Sequence, residues 1–256
     1  MSEKSSAYRS VAVIGAGNLG SAIAMALSRN YDVVAVRRDV SKISWLEEYG
    51  VTVGDDGADA ADKADAVIIC VKPRDVIPVL SEIRDVLGDK PVISFAAAVK
   101  LEEIARYCHK PVRAMTNIAS KFGDSMVVYY SLFEDDGIHE LLSALGRVWK
   151  VDNEELVDLS TVFLGSAPAF VSLLIQAFEY AGIKCGLNAE LSREMAISTF
   201  ASTSKLVESM SPDEVIKMIA TPAGTTIEGL VKMKELGVEY SIIESLMAAV
   251  EKLKKM

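Results

Sequence analysis

Residues Gly15-Ala16-Gly17-Asn18-Leu19-Gly20 follow the short apolar run Val11-Ala12-Val13-Ile14 and open an apolar helical pattern through Ala22, Ile23, Met25, Ala26 and Leu27. A strand, a G-x-G-x-x-G turn and a helix in that order constrain the chain to a βαβ series. Each glycine has a task in such a turn. The first makes the tight bend, the second lets a pyrophosphate approach the backbone, and the third allows close helix–strand packing. The helix N-terminus offers free N–H groups to the anion, so Gly15, Gly17, Asn18, Leu19 and Gly20 are candidate cofactor-binding residues.

The first half keeps this rhythm. Apolar runs at Tyr31 to Val36, Ala66 to Val71, Pro91 to Phe95, Val112 to Met115 and Ser125 to Ser131 read as further strands. A polar helix is expected near Ser41 to Tyr49, and an amphipathic one near Asp75 to Leu87. After Asp152 the pattern is helical, with segments near 156–183, 188–210, 212–220, 225–236 and 239–255 separated by Gly and Pro. The predicted fold class is therefore α/β: an N-terminal Rossmann-type doubly wound sheet followed by an all-helical C-terminal domain. The expected boundary divides 1–152, the dinucleotide-binding domain, from 153–256, a helical substrate-binding and dimerisation domain.

Two further segments belong to the cofactor reading. The second strand runs into Arg37-Arg38, where NAD-specific enzymes place an acid. Two guanidiniums suit a ribose 2′-phosphate, so NADP(H) is the preferred cofactor, and Asp39 leaves NAD(H) open as a second. The alternative is that both arginines merely cap a surface turn. Val71-Lys72-Pro73 ends the third long strand at the carboxyl edge of the sheet, where Lys72 is either a cofactor contact or a solvated loop charge.

Composition excludes several classes. A net charge of −9 argues against nucleic acid, which needs a basic face. The two histidines, His109 and His139, lack metal-ligand spacing and give no Ser–His–Asp arrangement, so no metal is expected. Three scattered cysteines, Cys70, Cys108 and Cys185, fit a reducing cytosol and read as small buried residues. Met1 to Ser10 is polar and carries no apolar secretory core. The stretch Val162 to Ala181 is broken by Gly165, Pro168 and Glu179, and reads as a buried helix rather than a membrane span. A cytoplasmic location follows. The last helix carries Ile242, Leu246, Val250 and Leu253 in a stripe that needs a surface, for which a second subunit is a candidate.

From about residue 10 to 253 the chain resembles the pyrroline-5-carboxylate reductase family. The resemblance rests on the glycine turn, Val71-Lys72-Pro73, Ser94-Phe95-Ala96-Ala97-Ala98 and Arg113-Ala114-Met115-Thr116-Asn117. The more specific segments are Gly165-Ser166-Ala167-Pro168-Ala169-Phe170 and Thr221-Pro222-Ala223-Gly224-Thr225-Thr226. It implies NAD(P)H-dependent reduction of the cyclic imine 1-pyrroline-5-carboxylate to L-proline. It also implies that Thr221, Gly224 and Thr225 cradle the substrate carboxylate, that Thr226 orients the ring nitrogen as the catalytic residue, and that the protein is a homodimer or a ring of dimers. Glu154 and Asp158 match acidic positions of the family at the domain junction.

Four positions depart from the family pattern. Ala98, Ala167 and Ala223 stand where glycine is usual, and Ala119 where a proline follows Asn117. Those glycines serve either a positive φ or close space. The substitutions keep two alternatives open: a reductase of a different cyclic imine, and a non-catalytic NADP-binding regulatory protein. The β-hydroxyacid dehydrogenases share the architecture but carry a catalytic lysine early on the first long helix after the junction. Here the first lysine of that helix is Lys184, at its end.

Overall fold

The computed structural model describes residues 7–255, so the reading of Met1 to Ser10 falls in part outside the described residues. The chain divides into two compact units, which meet in sequence at Gly165 and Ser166.

The first unit is an eight-stranded sheet. Its strands are β1 (Ser10–Ile14), β2 (Asp32–Val36), β3 (Thr52–Gly54), β4 (Ala66–Ile69), β5 (Pro91–Ser94), β6 (Lys110–Met115), β7 (Ser125–Tyr130) and β8 (Gly146–Lys150), in spatial order β3-β2-β1-β4-β5-β6-β7-β8. All neighbours are parallel except β6 and β7. Strand order reverses between β1 and β4, which opens a crevice at the carboxyl edge.

The continuous apolar run in β1 has a direct cause. Val11 and Val13 join a core on one face with Ile23 and Leu27, whereas Ala12 and Ile14 join a second core on the other with Leu80 and Ile83. A strand buried on both faces has no position for a polar side chain. Ile23 and Leu27 belong to α1 (Asn18–Leu27). The second core is covered by α2 (Gly57–Lys63) and α3 (Pro73–Leu87). The short α4 (Leu101–Ile104), α5 (Asp136–Ser143) and α6 (Glu154–Ser160) complete the unit, with Val157 of α6 packed on Met115 and Val128.

Several details differ from the sequence reading. The expected helix at Ser41 to Tyr49 is a pair of 3-10 turns, Val40–Lys42 and Ser44–Tyr49. Ser41 and Ser44 hydroxyls bond to Asp39 and to the Ser41 carbonyl, and such local bonds compete with a helix. Gly50, at φ 76°, then stops the segment. Strands β3 and β8 have no counterpart among the apolar runs of the sequence. They have three and five residues, and in β8 Arg147 and Trp149 are exposed, which leaves little apolar signal.

The second unit contains α7 (Ala167–Lys184), α8 (Ala189–Val207), α9 (Pro212–Ile219), α10 (Thr225–Glu235) and α11 (Val238–Leu253). Asn188 caps α8 through Leu191 N, and Ser211 with Glu214 forms a capping box on α9. A π-helical stretch, Thr161–Ser166, joins α6 to α7. Pro168 in the first turn of α7 has no N–H for the carbonyl four residues back, which favours the wider turn there.

Two expectations fail in this unit. Within the stretch Val162 to Ala181, Val162, which precedes α7, is buried, but α7 itself has no buried residue and Leu173 is 65 % exposed. The helix Glu154–Lys184 is long and apolar enough to cross a membrane by length and composition, which for a single helix does not overturn the reading against a membrane span. The other failure is Cys185, which is exposed, whereas Cys108 is buried and Cys70 half-buried. Burial pushes the thiols of Cys70 and Cys108 up.

Candidate cofactor site and substrate loop

The ends of β1, β2 and β4 enclose a cavity of about 500 Å³ at the switch point. Gly15, at φ 99°, makes the bend that only glycine takes without strain, and a methyl there would stand 2.6 Å from Val71 Cγ1. A methyl on Gly20 would collide with the Gly15 carbonyl and come within 3.1 Å of Cys70 Cβ. Gly17 has nothing within 4 Å of such a methyl. The first and third glycines are therefore required by the protein's own packing. The second faces open space, as an approaching anion needs.

Gly15 N and Ala16 N both donate to the Val36 carbonyl at 3.0 Å, which ties the loop to the end of β2. The intrahelical bonds of α1 begin with Ser21 N to Gly17 O at 2.8 Å. The amides of Asn18, Leu19 and Gly20 at the helix N-terminus thus lack intrahelical acceptors.

Arg37 and Arg38 both line the cavity. Arg37 Nη1 donates to the Ala16 carbonyl at 3.1 Å, while Arg38 is exposed. Asp39 is engaged elsewhere. It accepts the Ser41 hydroxyl at 2.6 Å and pairs with Lys42 at 3.2 Å, and these bonds hold its carboxyl below the usual range. Val71 and Lys72 line the same cavity, with Lys72 exposed at the N-cap of α3 and Pro73 at the first helical position. Lys42 and Arg74 also face it and were not singled out from sequence. The available signal was their spacing: Lys42 lies three residues from Asp39, and Arg74 directly follows Pro73.

The residues assigned to the substrate lie in the second unit. Thr221 to Gly224 form a turn closed by Gly224 N to Thr221 O at 3.0 Å, and Thr225 begins α10. Gly224, the N-cap, makes no side-chain cap bond, so the first amides of this helix are also open to an anion. A methyl on Gly224 would lie 2.5 Å from Thr221 Oγ1. Thr221 and Thr225 are exposed and Thr226 is half-buried.

The three alanines separate. Ala98 and Ala223 sit at φ 58° and 57°, the left-handed region that favours glycine, whereas Ala167 is the first residue of α7. Backbone conformation thus accounts for a glycine preference at 98 and 223. It does not at 167.

Among the described residues no group of three or more His, Cys, Asp or Glu side chains is placed to hold a metal. A glycine turn at a switch point, cations at the end of β2, and a separate helical unit define a dinucleotide-binding oxidoreductase of Rossmann type. Comparison with known proteins narrows the class. A profile of pyrroline-5-carboxylate reductase dimerisation matches residues 154–256, and one of coenzyme F420-dependent NADP oxidoreductases matches 10–98. A pyrroline-5-carboxylate reductase of Kluyveromyces lactis is 36% identical, over 75% of this chain and 69% of its own length. One from Aquifex aeolicus is 29% identical, over 96% of this chain and 97% of its own. A solved structure of the reductase from Coxiella burnetii superposes with a TM-score of 0.85 at 25% identity, covering 97% of this chain and 98% of that one. The chain belongs to the pyrroline-5-carboxylate reductase family.

Proposed function

We propose that this chain reduces 1-pyrroline-5-carboxylate to L-proline, with hydride from a reduced nicotinamide dinucleotide and NADPH preferred over NADH. The observation that carries the reading is the switch-point cavity. Its glycine loop is open only at Gly17, and its rim at the end of β2 bears Arg37 and Arg38 while Asp39 is already paired. Residues Gly15, Gly17, Asn18, Leu19 and Gly20 hold the pyrophosphate. Arg37 and Arg38 take the 2′-phosphate, and Val71-Lys72-Pro73 borders the dinucleotide.

The domain of residues 1–152 binds the cofactor, and that of 153–256 supplies the substrate loop and the subunit contact. Thr221, Gly224 and Thr225 hold the carboxylate, and Thr226 orients the imine nitrogen. Little acid catalysis is needed, because the protonated imine is already an electrophile and orientation does most of the work. The protein is proposed to be a cytoplasmic homodimer or ring of dimers, with lipid and nucleic acid not among its partners.

The test is to mix the protein with NADPH and 1-pyrroline-5-carboxylate and follow nicotinamide absorbance. Oxidation with L-proline as product, lowered about 10- to 100-fold by Thr226→Ala, is expected from loss of one orienting hydrogen bond. Bound cofactor with no oxidation of either NADPH or NADH would overturn the reading. The methyl of Ala223 in the substrate loop favours one second reading, a different cyclic imine, which a panel of ring-substituted imines would reveal.

A further inference from the structure

Arg113 heads the fully buried side chains by volume, and it is charged: it is 1 % exposed, in the middle of β6. Its Nη1 donates to Glu154 Oε1 at 2.8 Å and its Nη2 to Asp158 Oδ1 at 2.6 Å. The two acids lie four residues apart, one turn along α6. Each carboxylate also reaches the segment after β5. Glu154 Oε1 accepts Leu101 N at 2.6 Å, and Asp158 Oδ2 accepts Lys100 Nζ at 3.1 Å. Burial alone would raise the Asp158 carboxyl, but the bonds and charges of Arg113, then Lys100, outweigh it and hold it below the usual range.

Stability is a poor explanation for this cluster. Desolvating a guanidinium costs much of what its ion pairs return, and apolar replacements of similar volume are often neutral or better. Among the described residues, Arg113 Nε moreover has no hydrogen-bond partner. A planar fork on two carboxylates does supply what an aliphatic contact does not, namely a fixed rotation and a fixed height for α6 against β6.

The two acids tie down the segment after β5, next to β4 in the sheet, and Arg113 itself lies in β6 three residues before Thr116. Residues 95–100 follow β5 and include the strained Ala98. Thr116 and Asn117 follow β6, and Asn117 Oδ1 caps the next turn through Ala119 N at 2.8 Å. In the sheet order, β5 and β6 lie on the opposite side of β1 from β2. A dinucleotide with its adenosine half at Arg37 and Arg38 and its pyrophosphate on α1 directs its nicotinamide half toward β4, β5 and β6.

We propose that Arg113, held by Glu154 and Asp158, is a positioning residue for the nicotinamide. It sets the segments after β5 and β6 in the arrangement that seats the ring for hydride transfer. The inference rests on the proposed dinucleotide-dependent reduction, but its test includes a readout that does not need the imine.

That readout compares two ligands by titration on the full chain. One is 2′,5′-ADP, which reaches only the adenosine side, and the other is NADPH. Arg113→Lys keeps the charge and loses the fork. It is expected to leave 2′,5′-ADP affinity within about twofold while NADPH affinity falls about tenfold, a 1.4 kcal/mol difference. With the imine, kcat should fall about 100-fold with KM little changed, as for misplaced reacting groups. Glu154→Gln and Asp158→Asn should reproduce the split, and they decide the matter if Arg113→Lys does not fold. Equal losses for both ligands, or no loss for either with only a lower melting temperature, would overturn the proposal in favour of a purely structural tie. A wild type that binds NADPH but oxidises none overturns the proposed activity instead, and the ligand comparison still decides the role of Arg113.

Discussion

The Arg37 guanidinium is hydrogen-bonded to the Ala16 carbonyl, 3.1 Å away, so one of the two adjacent arginines braces the glycine loop from the end of β2. Arg38 is exposed in the same cavity, and Asp39 beside it is paired with Lys42. With Arg37 Nη1 engaged, Arg38 is the less constrained of the two arginines proposed to take the 2′-phosphate. Arg38→Ala is therefore expected to weaken NADPH about 10- to 100-fold, the value of a charge-assisted bond, and to leave NADH within about twofold. Isothermal titration with both cofactors measures this. Equal weakening of the two would mean that Arg38 does not read the 2′ position.

Within the glycine turn, space separates folding from binding. Gly17 has φ −85° and no neighbour within 4 Å of an added methyl, so Gly17→Ala should fold as the parent does. Its methyl would occupy the approach path of the pyrophosphate, and NADPH affinity should fall at least about tenfold. Gly20→Ala is the contrasting case, since its methyl meets the Gly15 carbonyl. That variant should lose thermal stability and cofactor binding together. A Gly17→Ala protein that melts as low as Gly20→Ala would refute the distinction.

Strain at Ala98 and Ala223 gives a prediction of opposite sign. An L-residue in the left-handed region costs roughly 1–2 kcal/mol, and the freedom glycine has in the unfolded chain takes back part of any gain from replacing it. Ala98→Gly and Ala223→Gly should each stabilise the protein by about 1 kcal/mol or less, seen as a higher denaturant midpoint at unchanged slope. Ala167→Gly, at a helix start, should destabilise or do nothing. Stabilisation at 167 as large as at 98 would contradict the assignment of strain.

How far the sequence could be read follows from where the signals come from. Val11 to Ile14 is apolar throughout because both faces are buried, and the glycines at 15 and 20 are fixed by contacts to residues 70 and 71, so the βαβ start is legible locally. β8 alternates half-buried and exposed residues around Trp149 and so does not stand out, whereas α5 carries Ile138, Leu141 and Leu142 at helical spacing behind the Asp135 cap, a pattern that is legible in principle. The Arg113 cluster is hidden for another reason. An arginine in a strand core and two acids some 40 residues later acquire meaning only when β6 and α6 pack together. The faint available signal was a charge inside an apolar strand followed by acids at helical spacing. Distinguishing Ala98 and Ala223 from Ala167 likewise requires φ, which composition does not carry.

The apolar surface of the helical unit leads to the last prediction. Of its residues only Ser192, Ala196, Val215 and Val250 are buried, while Leu173, Phe178, Tyr180 and Leu236 are each more than half exposed. Monomeric proteins rarely expose contiguous apolar patches beyond a few hundred Å². The profile match to a dimerisation region covers the same residues. If, as proposed, a second copy of the chain covers this surface, a charge placed in it should separate the copies. Leu173→Glu is expected to shift the protein to monomer in light scattering. Burying an unpaired carboxylate costs several kcal/mol, enough to dissociate a dimer at micromolar concentration. An unchanged oligomer would move the contact to another face of α7. If the wild type were monomeric in buffer but bound lipid vesicles, the apolar helix Glu154–Lys184 would instead be a membrane-facing element.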